Sequence, residues 1–550
     1  MVGQLNDRMR VSRRSFINLA LLGAAAQAAD THGAEITLSF APHGSASLAN
    51  ARLWKSVGNS AIYVGNLNEH LTAWFELRGE DVLAWVENST TNVAGIRSYE
   101  GDLSLTVNGQ TRATHKIVLC PRQRAAACLP QRLGGGESPL VAAEVDPNVV
   151  PFYGVRASER LSAAAIKDYV PLAQGLFPNG MGDGGYDPSI GILPSWDALY
   201  LSDKNPRALR QVLVMALLAG RYGIHFRDDK TLELLSFSGR PNLSYNASTK
   251  NDMATPGTGV GAPHWALSHH PSIGFLAYLL TGWQYFADQV RFAASYNHFF
   301  QVDWTRMFDK GVLLTNAGAN QTRGAAWSFR TLVQAAILTP GSQYAAALQH
   351  NVDYYHASFV TKPHCPQGWF IPYVDYTGKG DGKYMHSGWM DDFFGAALGY
   401  ALCALPSDKL HALFAEHSKS LLGRLGPAGD PTAYSYRDAA PYTIAVAPSD
   451  TPDFAGGKGP WFQNWGDVYE ATTGKRNTDT TEGDPRGGYW PSATSYWGNL
   501  LPALAYAHKF AVPGAAEAFA RLRRSPGWPT FLRGFADAPV WGVTMGLPLT

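Results

Sequence analysis

The chain has 550 residues, with 45 basic and 44 acidic side chains and a formal charge of +1. That balance excludes bulk electrostatic attraction to nucleic acid or to anionic lipid. Only 16% of the residues are charged and 12% are aromatic, against ~25% charged in an ordinary soluble domain, which suits a large core with ring-lined clefts.

Ser12-Arg13-Arg14-Ser15-Phe16, the apolar run INLALLGAAA and the small-residue pattern Ala26-Gln27-Ala28 read as a twin-arginine signal peptide over residues 1–28. The run falls short of the ~20 apolar residues that span a bilayer, so no stable membrane anchor is expected. The expected route is the twin-arginine translocation machinery, and the destination is the periplasm or the exterior of a bacterial cell. Without these residues, which carry Arg8, Arg10, Arg13 and Arg14 against Asp7, the chain sits near a charge of −2. Four cysteines do not make a disulfide scaffold; Cys120 and Cys128, enclosing CPRQRAAAC, are the one candidate pair. There is no CxxC and no HExxH, so neither a metal nor another cofactor is expected.

Residues 29–135 alternate as strands do. HLTAWFEL and VLAWVENS flank a Gly-containing turn, and Asn108-Gly109 between SLTV and QTRATHKIVL is a two-residue hairpin signal. This predicts an antiparallel β-sandwich, with a linker over 136–154 that opens near QRLGGGESP. From 155 to 550 one pattern recurs: an apolar helix, a turn of a few residues, then a more charged helix. The turns lie in YLSDKNPRALRQVL, YLLTGWQYFADQV, AILTPGSQYAAAL, CALPSDKLHALF and KFAVPGAAEAFARL. Turns this short force antiparallel packing, and the more apolar partner goes inside. The predicted class is α+β, mainly α: a β-sandwich followed by an α/α toroid of five to six helix pairs, with ERLSAAAIKDYV in the candidate sixth. Residues 426–490 lack a helical period and predict a small β insertion or lid.

Tight turns within pairs leave the long connections at one end, where the inner helices begin. Five segments meet there: GMGDGGYDPSIGILPSWDALY, APHWALSHHPSIGF, NAGANQTRGAAWSFR, KYMHSGWMDDFF and TTEGDPRGGYWPSATSYW. Rings with acids, amides and arginines between them suit sugars, whose C–H faces stack while their hydroxyls need hydrogen bonds. The candidate platform and substrate-binding residues are Tyr186, Trp196, Trp265, Arg323, Trp327, Arg330, His386, Trp389, Tyr489 and Trp490. Asp391 and Asp392 diverge by about 100° on a helix, so at most one is expected to face the hollow; helix-dipole stabilisation is the plainer role. Asp187, Asp197 and Glu482 are the candidate second carboxylates, and His269 and His270 the candidate proton carriers. Arg323 and Arg330, seven apart, are read as buried ion-pair partners or as a clamp on a substrate carboxylate.

With APHWALSHHPS and GWMDDFF in place, the chain resembles the α/α-toroid carbohydrate enzymes, namely the six-hairpin glycosidases and the toroid polysaccharide lyases. Several of these place a β-sandwich before the toroid. The resemblance spans most of the chain after the signal and is architectural. It implies an exported glycan-degrading enzyme acting on an oligo- or polysaccharide. A glycoside hydrolase with two carboxylates is the first expectation. A lyase is the second, in which His269, His270 or Tyr489 serves as base and Arg323 neutralises a uronate. A non-catalytic glycan-binding or envelope-assembly protein is the third.

Overall fold

The computed structural model describes residues 34–163, 168–177, 190–245, 252–313, 322–362, 365–370, 384–449 and 458–549. The export-signal expectation and residues 29–33 lie outside them. No helix among the described residues is long and apolar enough to cross a membrane.

The N-terminal part forms two antiparallel sheets. One orders β2(Gly44–Ser47), β1(Ile36–Ala41), β7(Tyr99–Val107) and β8(Gln110–Leu119). The other orders β10(Gln131–Arg132), β6(Asp81–Glu87), β5(Thr72–Arg78), β4(Ser60–Asn66) and β3(Arg52–Val57), with β9(Arg124–Ala126) also paired to β6. The predicted hairpin at Asn108-Gly109 has φ of 51° and 73°, the left-handed backbone its two-residue turn requires. Leu38, Phe40, Leu103 and Leu105 of the first sheet share a core with Ala73, Phe75, Val82, Ala84 and Val86 of the second.

The second sheet is buried on both faces. Trp74 and Trp85 point away from the first sheet, stack on each other with centroids 6.0 Å apart, and join the core of the helical part. Trp85 meets Tyr285 edge-on at 5.1 Å. Arg227 lies 4.5 Å above Trp74, and its guanidinium holds both Glu87 of β6 and Asp288 of a helix. Residues 136–154 are no free linker: Val149, Val150 and Tyr153 enter the helical core, and Tyr153 bridges to Val543.

All five expected helix pairs are present: α1(Ser195–Asp203) with α2(Pro206–Leu218), α3(Phe275–Thr281) with α4(Gln284–Phe300), and α5(Thr322–Leu338) with α6(Gln343–Phe359). The other two are α7(Gly388–Ala404) with α8(Asp408–Arg424), and α10(Tyr496–Lys509) with α11(Ala515–Arg523); between them lies α9(Trp465–Thr473), and α12(Trp528–Asp537) follows. The turns carry their own caps. Asn205, Ser342 and Ser407 accept from the first-turn amides of α2, α6 and α8, as N-cap residues do.

Helix α4 has no such cap. Instead Glu76 of β5 reaches across, its Oε1 accepting from Gln284 N at 2.7 Å and its Oε2 from Tyr285 N at 3.0 Å. The inner helices α5, α7 and α10 pack in that order, and the 3-10 turn Pro539–Trp541 packs against both α1 and α10. The candidate sixth pair appears only as a single turn, Glu159–Ser162, among the described residues. The 426–490 segment does hold a strand, β12(Ile444–Ala447), paired with β11(Tyr384–His386), together with the unforeseen α9. All four cysteines are free, so Cys120 and Cys128 do not pair.

Candidate functional site

Four rings gather where α7 and α10 begin. Trp389, in the first turn of α7, stacks with Tyr496 of α10 at 5.7 Å and with Tyr442 at 6.2 Å. Tyr496 also neighbours Tyr442 and Tyr489, each at 6.0 Å. Trp389 and Tyr496 are nearly buried and form the floor, whereas Tyr442 and Tyr489 are exposed by 48% and 73% and form the rim. Buried Arg323, in the first turn of α5, lies 5.3 Å from the Trp389 ring centre, within cation–π range.

His269 lies close enough to Arg323 to feel its charge. Burial, and then the nearby Arg323 charge, push its imidazole down to about 4, so it is neutral at neutral pH. Among the described residues, neither of its ring nitrogens, nor the buried Trp389 Nε1, finds a hydrogen-bond partner. Such shielded atoms occur elsewhere in the molecule, as at His298; His269 differs in lying within reach of the Arg323 charge. The Trp389 Nε1 belongs to the platform itself, and His269 is linked to it through Arg323.

The paired acids lie on another face of α7. Asp391 is buried between His386, at 3.3 Å, and His417 of α8, at 3.6 Å. Burial opposes its ionisation, but the two histidines outweigh burial and hold the carboxyl well below the usual range. Asp392 pairs with buried Arg424 of α8. Burial nevertheless raises its carboxyl, with Arg424 opposing. Both acids therefore join α7 to its own partner helix, and His386 belongs to that junction rather than to the platform.

Several other candidates sit in the core. Trp196 packs edge-on against Phe177, and Trp265 donates from Nε1 to Asn297 Oδ1 at 3.1 Å. Trp327 is enclosed by Phe393 and Trp541, and Trp490 by Trp497 and Phe531. His270 is fully engaged with Leu267 O and Thr331 Oγ1, and burial followed by Arg330 holds it well below its ordinary pKa. Arg330 is buried with no carboxylate partner among the described residues, donating to the carbonyls of Gly191 and His270, and burial pulls its guanidinium down to about 9. Asp197 is buried in α1, where desolvation drives its carboxyl well above the usual range. Glu482 is on the surface and paired with Arg524 at 2.7 Å. Tyr186 and Asp187 lie outside the described residues.

Of the candidates, the structure thus brings together Arg323, His269, Trp389 and Tyr489. Sequence reasoning missed Tyr496 and Tyr442. Tyr496 stands in one of the five converging segments, two residues beyond Thr494 in the ring-rich run that ends it. Tyr442 had no comparable signal, being an isolated ring ahead of β12. No group of three or more His, Cys, Asp or Glu among the described residues is arranged to hold a metal ion. A cavity of about 430 Å³ opens elsewhere, lined by Leu422, Gly423, Trp465, Glu517 and Arg521. Its arginine is committed to Leu425 O, so it offers no group resembling the His269–Arg323 pair. Neither a protein-family model nor a curated protein sequence matches this chain.

Proposed function

We propose that the chain is an exported polysaccharide lyase that cleaves a uronate-containing glycan by β-elimination at the Trp389 platform. In this reading the five helix pairs close into an α/α toroid, with Pro539–Trp541 joining the first pair to the last. The mouth of the toroid is where α5, α7 and α10 begin.

One observation carries the proposal: a neutral histidine with uncommitted nitrogens stands next to an arginine, and aromatic rings stand beside that arginine. β-Elimination needs this combination. The arginine neutralises the uronate carboxylate, which makes the adjacent C–H acidic. His269 takes that proton as a general base. Electrons from the broken C–H bond form the C=C bond as the glycosidic C–O bond breaks. The departing oxygen takes a proton from a rim tyrosine, Tyr489 or Tyr442. Trp389 and Tyr496 support the sugar rings.

The two-carboxylate hydrolysis expected first has less support. It requires one carboxyl on each side of the scissile bond, yet Asp391, Asp392 and Glu482 are each matched to a cationic or imidazole partner on their own side. Asp197 is buried in α1.

The test is direct. The purified chain is incubated with a panel of uronate polysaccharides, and ultraviolet absorbance is followed for the unsaturated product. New reducing ends without that absorbance favour a hydrolase. Saccharide binding with neither signal favours the non-catalytic reading.

A further inference from the structure

The two exposed rings of the platform belong to neither a helix nor a strand. Tyr442 ends the stretch 436–442 and Tyr489 ends the stretch 483–489, so contacts between loops must hold both. Arg486 joins them. Its Nε and Nη2 donate to the two carboxylate oxygens of Asp438 at 3.0 and 2.5 Å, and its Nη1 and Nη2 donate to those of Asp479 at 3.0 and 2.7 Å. One guanidinium therefore serves two carboxylates with its planar fork, a geometry lysine cannot reproduce.

The seam around it is continuous. Arg486 N donates to Arg437 O, Arg437 Nε donates to Asp484 O at 2.8 Å, and Tyr436 Oη receives Gly483 N at 2.7 Å. Tyr469 of α9 donates to Asp438 at 2.7 Å. Gly488 presses on the other stretch so closely that a Cβ there would lie 2.7 Å from Ala440 O. Beyond the clasp, Gly487, Gly488 and Tyr489 all hold left-handed backbone, with φ of 63°, 54° and 62°. For a tyrosine that conformation is unfavourable and persists only where the surroundings impose it. Here Arg486 holds one side, and Trp490, packed against Trp497 and Phe531, holds the other.

We infer that Arg486 is a positioning residue that fixes Tyr489 relative to Tyr442 and so sets the aromatic rim that receives the saccharide. The inference rests on the platform being a saccharide site, as proposed above. The Arg486 side chain is 36% exposed and its carboxylate partners lie in the seam, so its loss should loosen the rim and leave the fold in place.

Two measurements test it on the full chain. In Arg486→Gln, amide hydrogen exchange is expected to quicken in peptides covering 436–442 and 484–490, with helices α5, α7 and α10 unchanged. Where uronate oligosaccharide turnover is measurable, KM should rise about three- to tenfold, the worth of a stacking contact, with kcat within about twofold. Arg486→Lys should recover only part of both effects. Unchanged exchange in the two stretches overturns the inference whether or not a substrate is found. Quickened exchange with unchanged KM shows a clasp that does not serve the rim, and also overturns it. Global loss of helix protection in the Gln variant assigns Arg486 to the fold instead. Failure of every uronate substrate, by contrast, counts against the lyase reading and leaves the exchange result to decide the clasp.

Discussion

Glu76 makes the most quantitative prediction. Burial raises its carboxyl from 4.5 to about 7, despite hydrogen bonds from Ser60, Gln284 and Tyr285. The folded chain therefore retains a proton there that the unfolded chain has already released. Stability contributed by this site is highest below the unfolded value of 4.5, falls as pH rises, and levels off above about 7. The full displacement corresponds to roughly 3 kcal/mol, most of it lost between about pH 5 and about pH 8. Glu76→Gln removes the titration. It also turns an amide N–H₂ toward one of two helix amides that need acceptors, a loss of about 1–3 kcal/mol. Urea unfolding of both proteins across that range should show wild type ahead at the acidic end. Its advantage should shrink by about 2–3 kcal/mol toward pH 8. A difference constant across the range would refute the assignment of a near-neutral carboxyl to the α4 cap.

The remaining predictions concern the site and its supports. Arg424→Met leaves buried Asp392 without its partner, so that the carboxyl must be buried unpaired or take up a proton, and should destabilise the chain by up to about 3–5 kcal/mol, read by denaturant titration, while Arg424→Met/Asp392→Leu should recover much of that loss. Arg323→Ala should abolish turnover of uronate polymers while leaving the far-ultraviolet circular dichroism spectrum unchanged. Tyr489→Ala should raise KM by about three- to tenfold, the scale of one stacking contact. Because His269 acts neutral and its imidazole is held near 4, kcat/KM should persist into mildly acidic buffer and fall as pH drops through about 4; an acid limb near 6.5 would remove His269 as the base.

Much of the architecture was legible because it rests on local periodicity. Asn108-Gly109 specified its hairpin, and the short turns around Asn205, Thr281, Ser342, Ser407 and Gly514 specified five antiparallel pairs. What escaped were elements fixed from a distance. Helix α9 spans only Trp465–Thr473 inside a segment without a run of apolar repeats, and α12 follows the last pair after a turn of a few residues. Glu76 reads as an ordinary polar position in an alternating strand, yet it caps a helix 208 residues away.

The site divides in the same way. The sequence places Trp389, Asp391 and Asp392 in one helical turn, but only packing decides which face meets the rim. Phe393, one turn beyond Trp389, stacks on Trp541, so that face turns inward and the acids fall toward α8. Arg323 and Arg330 share a helix, yet only Arg323 reaches Trp389, because Arg330 is drawn to the carbonyls of Gly191 and His270. Trp196, Trp265 and Trp327 show that tryptophan near a loop can fill the core, and Trp490, partly buried, packs against it.

The most direct test of the central claim is ultraviolet absorbance during incubation of wild-type and Arg323→Ala protein with uronate polysaccharides. The account predicts rising absorbance from an unsaturated uronate in the wild type and none in the variant. Chain cleavage that yields reducing ends but no unsaturated product, or absorbance that survives loss of Arg323, would contradict it.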